Sequence, residues 1–96
     1  MKSPINVWWT QQSFTNARSI KEYLLRKFTE REVSNFENLL KDFEKMVTIF
    51  PHLYPKSNQK PHIRKAVLHK FTSVYYVEKS GEIIVIAIHD NRQKED

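Results

Sequence analysis

The strongest constraint on the fold is an unbroken apolar run near the end of the chain, Ile83 to Ile88, with the sequence IIVIAI. Six residues make a typical strand and are far too few for a membrane-spanning helix. A β-branched run without polar alternation indicates a strand that is covered on both faces. We therefore expect a central strand here, packed on both of its faces.

Two segments before this run are expected to complete a β-meander. IRKAVLHKF and TSVYYVE favour strands, and the following EKSGE forms a turn around Gly81, the single glycine of the chain. A tight hairpin turn requires a positive φ, which glycine adopts without steric cost. At the start of the chain, the period-two pattern of INVWWT predicts a fourth strand, which we expect to join the same antiparallel sheet.

Between the first strand and the meander, apolar residues recur at spacings of three and four, which indicates helices. Ser13 is a candidate N-cap for the first helix. The second helix begins at TERE, where Thr29 and Glu32 have the spacing of a capping box, and it stops at Pro51. Only one or two residues separate the helices, so we expect an antiparallel helical hairpin whose apolar stripes pack on a third surface.

The predicted element order is β-α-α-β-β-β, within a single domain that spans residues 1–96. This order predicts a small α+β fold. It consists of a four-stranded antiparallel sheet, with the helical hairpin of the N-terminal half packed on one face.

The net charge of +5 is distributed unevenly along this basic protein. No Asp or Glu occurs between Glu44 and Glu78, a stretch that holds six cations and three histidines: Lys45, Lys56, Lys60, Arg64, Lys65, Lys70, His52, His62 and His69. Such a stretch favours an anionic partner, which could be nucleic acid, an acidic protein or an acidic lipid surface. A solvated basic loop is the alternative.

Other features restrict the class of protein further. There is no cysteine, and the four histidines lack the spacing of metal ligands, so we expect neither a metal site nor a cofactor. The N-terminal segment has no apolar core of a signal peptide, and no run is long enough to span a bilayer. We expect a cytoplasmic protein without a membrane partner.

In this order, the segments resemble the RelE/ParE superfamily of toxins from bacterial type II toxin–antitoxin systems. The resemblance covers nearly the whole chain and includes VWWT, FPHLYP, the arginine that opens IRKAVLHKF, VYYV and IIVIAIHDNRQ. The DNRQ segment is most similar to the ParE-type branch. The resemblance implies growth inhibition, a role in plasmid stabilization, and a cognate antitoxin whose acidic or amphipathic segment covers the basic surface.

The superfamily contains two activities. RelE-type members cut mRNA in the ribosomal A site without a metal, whereas ParE-type members inhibit DNA gyrase and are not nucleases. For a nuclease, the resemblance makes Arg64, Arg92 and His89 the candidate catalytic residues. For either activity, the candidates for binding phosphate or a protein partner are Lys56, Lys60, Arg64, Lys65, Lys70 and Arg92.

One departure from the family pattern separates these activities. Ribonuclease members carry a tyrosine a few residues after the second arginine, whereas Arg92 is followed here by QKED. Loss of a general acid or base costs about 10²–10⁴-fold in rate. We therefore favour a toxin that acts by binding over an enzyme, and keep a metal-independent endoribonuclease and a degenerate, non-toxic member that binds RNA or antitoxin as alternatives.

The charged residues of this region also have structural interpretations. Arg64 could form a salt bridge with Asp90 across neighbouring strands. Asp90 could orient Arg92 or Arg64, and it could cap the backbone of the turn that follows.

Overall fold

Two helices lie against one face of a four-stranded sheet in a computed structural model that describes residues 5–95. The elements are β1 (Val7–Trp9), α1 (Gln11–Lys27), α2 (Glu30–Ile49), β2 (Arg64–His69), β3 (Thr72–Lys79), β4 (Glu82–Asp90) and a short 3₁₀ helix (Asn91–Glu95). The predicted α+β class, the element order and the helical hairpin are confirmed.

The strand order in the sheet is β1-β4-β3-β2, so β4 is central as predicted. β2, β3 and β4 form the expected antiparallel meander. β1 pairs with β4 in parallel, however, with Val7 opposite Ile83 and Trp9 opposite Val85. The prediction of a wholly antiparallel sheet is therefore wrong, and the sheet is mixed. The chain between β1 and β4 includes both helices and two strands. Parallel strands require a long connection of this kind.

A β-bulge in β4 explains how its apolar run is used. Tyr75 pairs with Ala87 while Tyr76 pairs with Val85, which leaves Ile86 as an extra residue. Because side chains alternate along a strand, the bulge shifts the phase, and Ile83, Val85 and Ile88 are all buried in the core. The other face is only half-buried at Ile84, Ile86 and Ala87. The prediction that both faces of β4 are covered is therefore confirmed only for the face that packs against the helices.

The core lies between this buried face and the helical hairpin. The helices contribute Ile20, Tyr23, Leu24, Phe36, Phe43 and Val47, and the sheet contributes Ala66, Val74, Tyr76, Ile83, Val85 and Ile88. Three aromatic rings meet at one end of it, where Phe43 lies 5.5 Å from Tyr76 and 5.9 Å from Tyr54 between ring centroids. Edge-to-face and tilted pairs of this kind stabilise a core beyond the burial of their area.

The helix starts differ from the sequence predictions. Thr10, not Ser13, is the N-cap of α1, and its side chain accepts a hydrogen bond from the backbone N–H of Ser13. Thr29 is the N-cap of α2, but its side chain makes no capping hydrogen bond. The predicted capping box is therefore wrong, because the Glu32 side chain pairs with Arg92.

The long segment between α2 and β2 is fixed to the sheet by hydrogen bonds. The Tyr76 hydroxyl donates to the Pro51 carbonyl at 2.9 Å, and the Lys65 N–H donates to the Pro55 carbonyl at 2.9 Å. The β3–β4 turn has positive φ values at Ser80 and Gly81, which confirms the predicted role of the glycine.

Candidate functional site

Arg92 and Asp90 form the most extensive polar contact that the structure describes. The guanidinium donates from Nε to Asp90 Oδ1 at 3.0 Å and from Nη2 to Asp90 Oδ2 at 2.8 Å, a bidentate pair. The backbone N–H of Arg92 also donates to Oδ1 at 3.0 Å. Asp90 is only 3% exposed. The predictions that Asp90 orients Arg92 and caps the following turn are confirmed.

Two further residues complete the hydrogen bonding. The Thr72 hydroxyl donates to Asp90 Oδ2 at 3.0 Å, because Thr72 lies opposite Asp90 in the sheet. Arg92 Nη1 donates to Glu32 Oε2 at 3.2 Å, which connects the end of β4 to the first turn of α2. We call Glu32, Thr72, Asp90 and Arg92 the Arg92 cluster.

Two aromatic rings enclose the guanidinium. Its central carbon lies 4.8 Å from the ring centroid of Phe71 and 5.7 Å from that of Phe28. Arginine stacks on aromatic faces because its planar cation is weakly hydrated. As a result the Arg92 side chain is only 15% exposed.

The pKa values of the cluster follow from these contacts. Burial raises the pKa of Asp90, but the hydrogen bonds and charge of Arg92 and the hydrogen bond from Thr72 outweigh it, so the net pKa is lowered. The hydrogen bond to Asp90 raises the pKa of Arg92, against the opposing effect of burial. Asp90 and Arg92 are therefore both ionised at neutral pH, and the charge of Arg92 is neutralised within the protein.

Arg64 lies in a different part of the sheet. It is opposite Tyr76 at the start of β2, and its Nη1 donates to the backbone carbonyl of Tyr54 at 2.8 Å. Asp90 is opposite Thr72, four residues along β3 from Tyr76, or about 13 Å at strand spacing. The proposed salt bridge between Arg64 and Asp90 is therefore wrong. Among the side chains of residues 5–93, no carboxylate pairs with Arg64.

His89 and Lys70 are exposed near the end of the sheet that carries Arg92. His89 lies opposite Ser73, on the sheet face away from the helices, whereas Arg92 contacts α2 on the helix side. Lys70 lies in the β2–β3 turn, with its ammonium 5.1 Å from the Phe71 ring centroid. The structure thus does not bring Arg64, Arg92 and His89 together.

The remaining candidate cations lie near the outer edge of the sheet. Lys56 and Lys60 are exposed in the loop before β2. Lys65 is exposed on β2, with its ammonium 5.8 Å from the Tyr75 ring centroid. Lys56 and Lys65 line one pocket, together with Tyr75.

A groove along the helical hairpin was missed by the sequence analysis. Two adjoining hollows share Arg18 and Lys21, and their apolar lining includes Phe14, Ala17, Leu25, Val33 and Leu40. Phe14 is 65% exposed and Leu25 is 56% exposed, although the apolar stripe of α1 predicted burial for Phe14. Leu25 was a usable signal, because it lies outside the four-residue spacing that Ile20, Leu24 and Phe28 follow.

Within residues 5–95, no group of three His, Asp or Glu side chains has the arrangement of a metal site. In the same range, no helix has the length and apolar character that a membrane crossing requires.

Comparisons with known proteins add one informative match. No protein-family model matches the sequence, and no curated protein does. The fold matches a chain in a solved structure described as the chromosomal ParDE toxin–antitoxin system from P. aeruginosa, with a TM-score of 0.73. The match covers 90% of this chain and 95% of that chain at 15% sequence identity. It confirms the fold that the sequence resemblance implied.

Proposed function

We propose that this protein is the toxin of a type II toxin–antitoxin pair, neutralised by a cognate antitoxin, and that it acts by binding an essential target such as DNA gyrase. The observation that carries the proposal is the fold shared with the ParDE chain over 90% of the length. The ordered motifs from VWWT to IIVIAIHDNRQ support it independently.

The positions of the candidate catalytic residues favour binding over RNA cleavage. Cleavage by 2′-hydroxyl attack needs a base, an acid and cations that all reach one phosphate. Arg64, Arg92 and His89 are divided between two faces and two ends of the sheet. Asp90 and Glu32 already hold the guanidinium of Arg92, so it is not available to neutralise a phosphate.

Two surfaces suit an antitoxin segment that is both acidic and amphipathic. The helical groove offers the exposed apolar side chains Phe14 and Leu25, and its charges are mixed. Arg18 and Lys21 lie beside Glu22 and Glu30. The acid-free loop and β2 add Lys56, Lys60 and Lys65. An amphipathic helix fits an apolar groove of this kind, and an acidic segment complements the cations of the loop and β2.

The target is tested by expressing the protein from a tightly repressed promoter and following growth, plasmid supercoiling and mRNA ends on ribosomes. We expect growth arrest with loss of negative supercoiling, and inhibition of purified gyrase by purified protein. Discrete A-site cleavages with unchanged supercoiling would overturn the binding mechanism in favour of a ribonuclease. Normal growth at full expression would identify a degenerate, non-toxic member.

The antitoxin surface is tested with a charge reversal in the groove. Arg18→Glu should weaken antitoxin binding without removing toxicity, because Arg18 is exposed and lies outside the core. Lys79→Glu makes the same charge change in the β3–β4 hairpin and should leave antitoxin binding intact. Equal affinity of the antitoxin for both variants would exclude the groove from the antitoxin interface.

A further inference from the structure

A pocket of about 470 Å³ lies at the outer edge of the sheet, on the face away from the helices. One wall is the loop before β2, and the other is formed by exposed or half-buried side chains of β2 and β3. The lining residues are Pro55, Lys56, Ser57, Asn58, Gln59, Lys65, Val67 and Tyr75. Its volume lies within the roughly 300–1,000 Å³ of small-molecule sites.

Backbone hydrogen bonds hold the loop wall in place. Lys56 forms an antiparallel bridge with Arg64, and the Lys65 N–H donates to the Pro55 carbonyl at 2.9 Å. The Ser57 N–H donates to the Ile63 carbonyl at 2.7 Å. The loop therefore runs alongside β2 like a short additional edge strand. The backbone of this wall is in position before a ligand arrives, which reduces the entropic cost of binding.

The lining combines three kinds of side-chain group that a ligand can use. Two ammonium groups come from Lys56 and Lys65, two carboxamides from Asn58 and Gln59, and a phenol ring from Tyr75. No carboxylate lines the pocket, and among the side chains of residues 5–93 neither lysine has an ion-pair partner. The positive charge is therefore available to an anion.

A nucleotide uses all of these groups at once. Its phosphate pairs with ammonium groups, its base stacks on an aromatic ring, and the edge of the base exchanges hydrogen bonds with carboxamides. The Lys65 ammonium lies over the Tyr75 ring, 5.8 Å from its centroid, so a base that stacks on this face would displace the ammonium toward the phosphate. A peptide rich in aspartate would engage the lysines and the carboxamides but would offer no planar ring to stack on Tyr75.

We propose that this pocket binds a nucleoside phosphate, with the base against Tyr75 and the phosphate between Lys56 and Lys65. A free mononucleotide and one nucleotide of a single strand present the same chemistry to the pocket. This inference goes beyond the toxin proposal and does not depend on it. Because the proposed antitoxin surface includes Lys56 and Lys65, a bound antitoxin and a nucleotide would compete for these lysines.

Chemical-shift titration by NMR tests the proposal on the full chain. The probes are the four ribonucleoside monophosphates, inorganic phosphate, a single-stranded oligonucleotide and a peptide rich in aspartate. We expect nucleotide-induced shifts at residues 55–59, Lys65, Val67 and Tyr75, and tighter binding of a nucleotide than of inorganic phosphate. If the oligonucleotide binds more tightly than every monophosphate, the ligand is a nucleotide within a single strand. If a monophosphate binds more tightly than the oligonucleotide, the ligand is a free nucleotide.

Variants assign the binding energy to individual side chains. Lys65→Gln should weaken nucleotide binding about tenfold through loss of a charged hydrogen bond. Tyr75→Leu should weaken it about 5- to 100-fold, while Tyr75→Phe should preserve stacking. Lys41→Gln makes the same charge change on an exposed position of α2 and should bind nucleotide normally. Thermal unfolding of each variant checks its fold. Asn58→Ala should also weaken nucleotide binding, and because Asn58 is exposed in the loop, this variant leaves the sheet intact.

Four results would overturn the proposal. The first is an absence of shifts at about 10 mM nucleotide, which means a Kd well above about 1 mM. The second is a set of shifts confined to another surface, and the third is equal affinity for inorganic phosphate and nucleotide. The last is binding of the acidic peptide alone. The last result would assign the pocket to a protein partner.

Discussion

Glu32 and Arg92 are 60 positions apart in the chain, and their side chains meet at 3.2 Å. Glu32 lies in the first turn of α2, and Arg92 follows β4. The contact therefore fastens the start of the second helix to the end of the central strand. Because Asp90 binds the same guanidinium, one arginine connects the helical hairpin to the sheet.

Glu32→Ala should lower the free energy of unfolding by about 0.5–2 kcal/mol, the range for a hydrogen bond to a partly buried charge. Glu30→Ala is the matched control. Glu30 also lies in the first turn of α2, so it has the same favourable interaction with the helix dipole, but it is exposed and does not contact Arg92. Urea unfolding measures both variants, and equal losses of stability would mean that the contact with Arg92 contributes nothing.

Arg92→Ala should lower the free energy of unfolding by about 3–5 kcal/mol, because it leaves the Asp90 carboxylate buried without its partner. Arg92→Lys should have an intermediate effect, since an ammonium cannot donate the two parallel hydrogen bonds. The double variant Asp90→Asn/Arg92→Leu should lose less stability than Arg92→Ala, because it buries no unpaired charge. A double variant that is less stable than Arg92→Ala would contradict this account.

The lower stability expected for Arg92→Ala affects the result of a toxicity assay. The variant should be less toxic, because less folded protein is present. Normalising growth inhibition to soluble, folded protein distinguishes this effect from a direct role in target binding. If folded Arg92→Ala protein is non-toxic at wild-type abundance, the guanidinium contacts the target.

The periodicity of the sequence was sufficient to predict the secondary structure. Spacings of three and four residues specified the helices, and the β-branched run specified the central strand. The direction of β1 was not predictable in the same way, because alternation along a strand is identical in parallel and antiparallel pairs. The bulge at Ile86 was also hidden, since every residue around it is apolar.

The candidate site was less predictable because its contacts are long-range. Thr29 and Glu32 have the local spacing of a capping box, but the Glu32 carboxylate pairs with a cation that the sequence places far away. A buried guanidinium needs counter-charges more than an exposed helix end needs a side-chain cap. Of the contacts of Arg92, the sequence predicted the one with Asp90 but not the one with Glu32, and the role of Arg92 as a site residue stays a prediction.

Acid should weaken the fold through Asp90. The folded-state pKa of this carboxyl is lowered below its unfolded value of about 3.9. Its contribution to stability is therefore fully present above that value, and it is lost as the pH falls through the folded-state pKa. Urea unfolding between neutral pH and strongly acidic pH should show this loss. Asp90→Asn should be less stable than the wild type at neutral pH, and its free energy of unfolding should change less with pH. Asp42→Asn, at an exposed position, should show the same change with pH as the wild type.

Tyr76→Phe should lower the free energy of unfolding by about 0.5–1.5 kcal/mol, the net value of one hydrogen bond. The Tyr76 hydroxyl donates to the Pro51 carbonyl at 2.9 Å and fastens the segment after α2 to the central part of the sheet. Tyr54→Phe is the control, because its ring packs in the same aromatic group while the described contacts include no hydrogen bond from its hydroxyl. Hydrogen exchange should show faster opening of residues 51–57 in Tyr76→Phe only. Equal exchange in the two variants would mean that ring packing, not the hydroxyl, holds this segment.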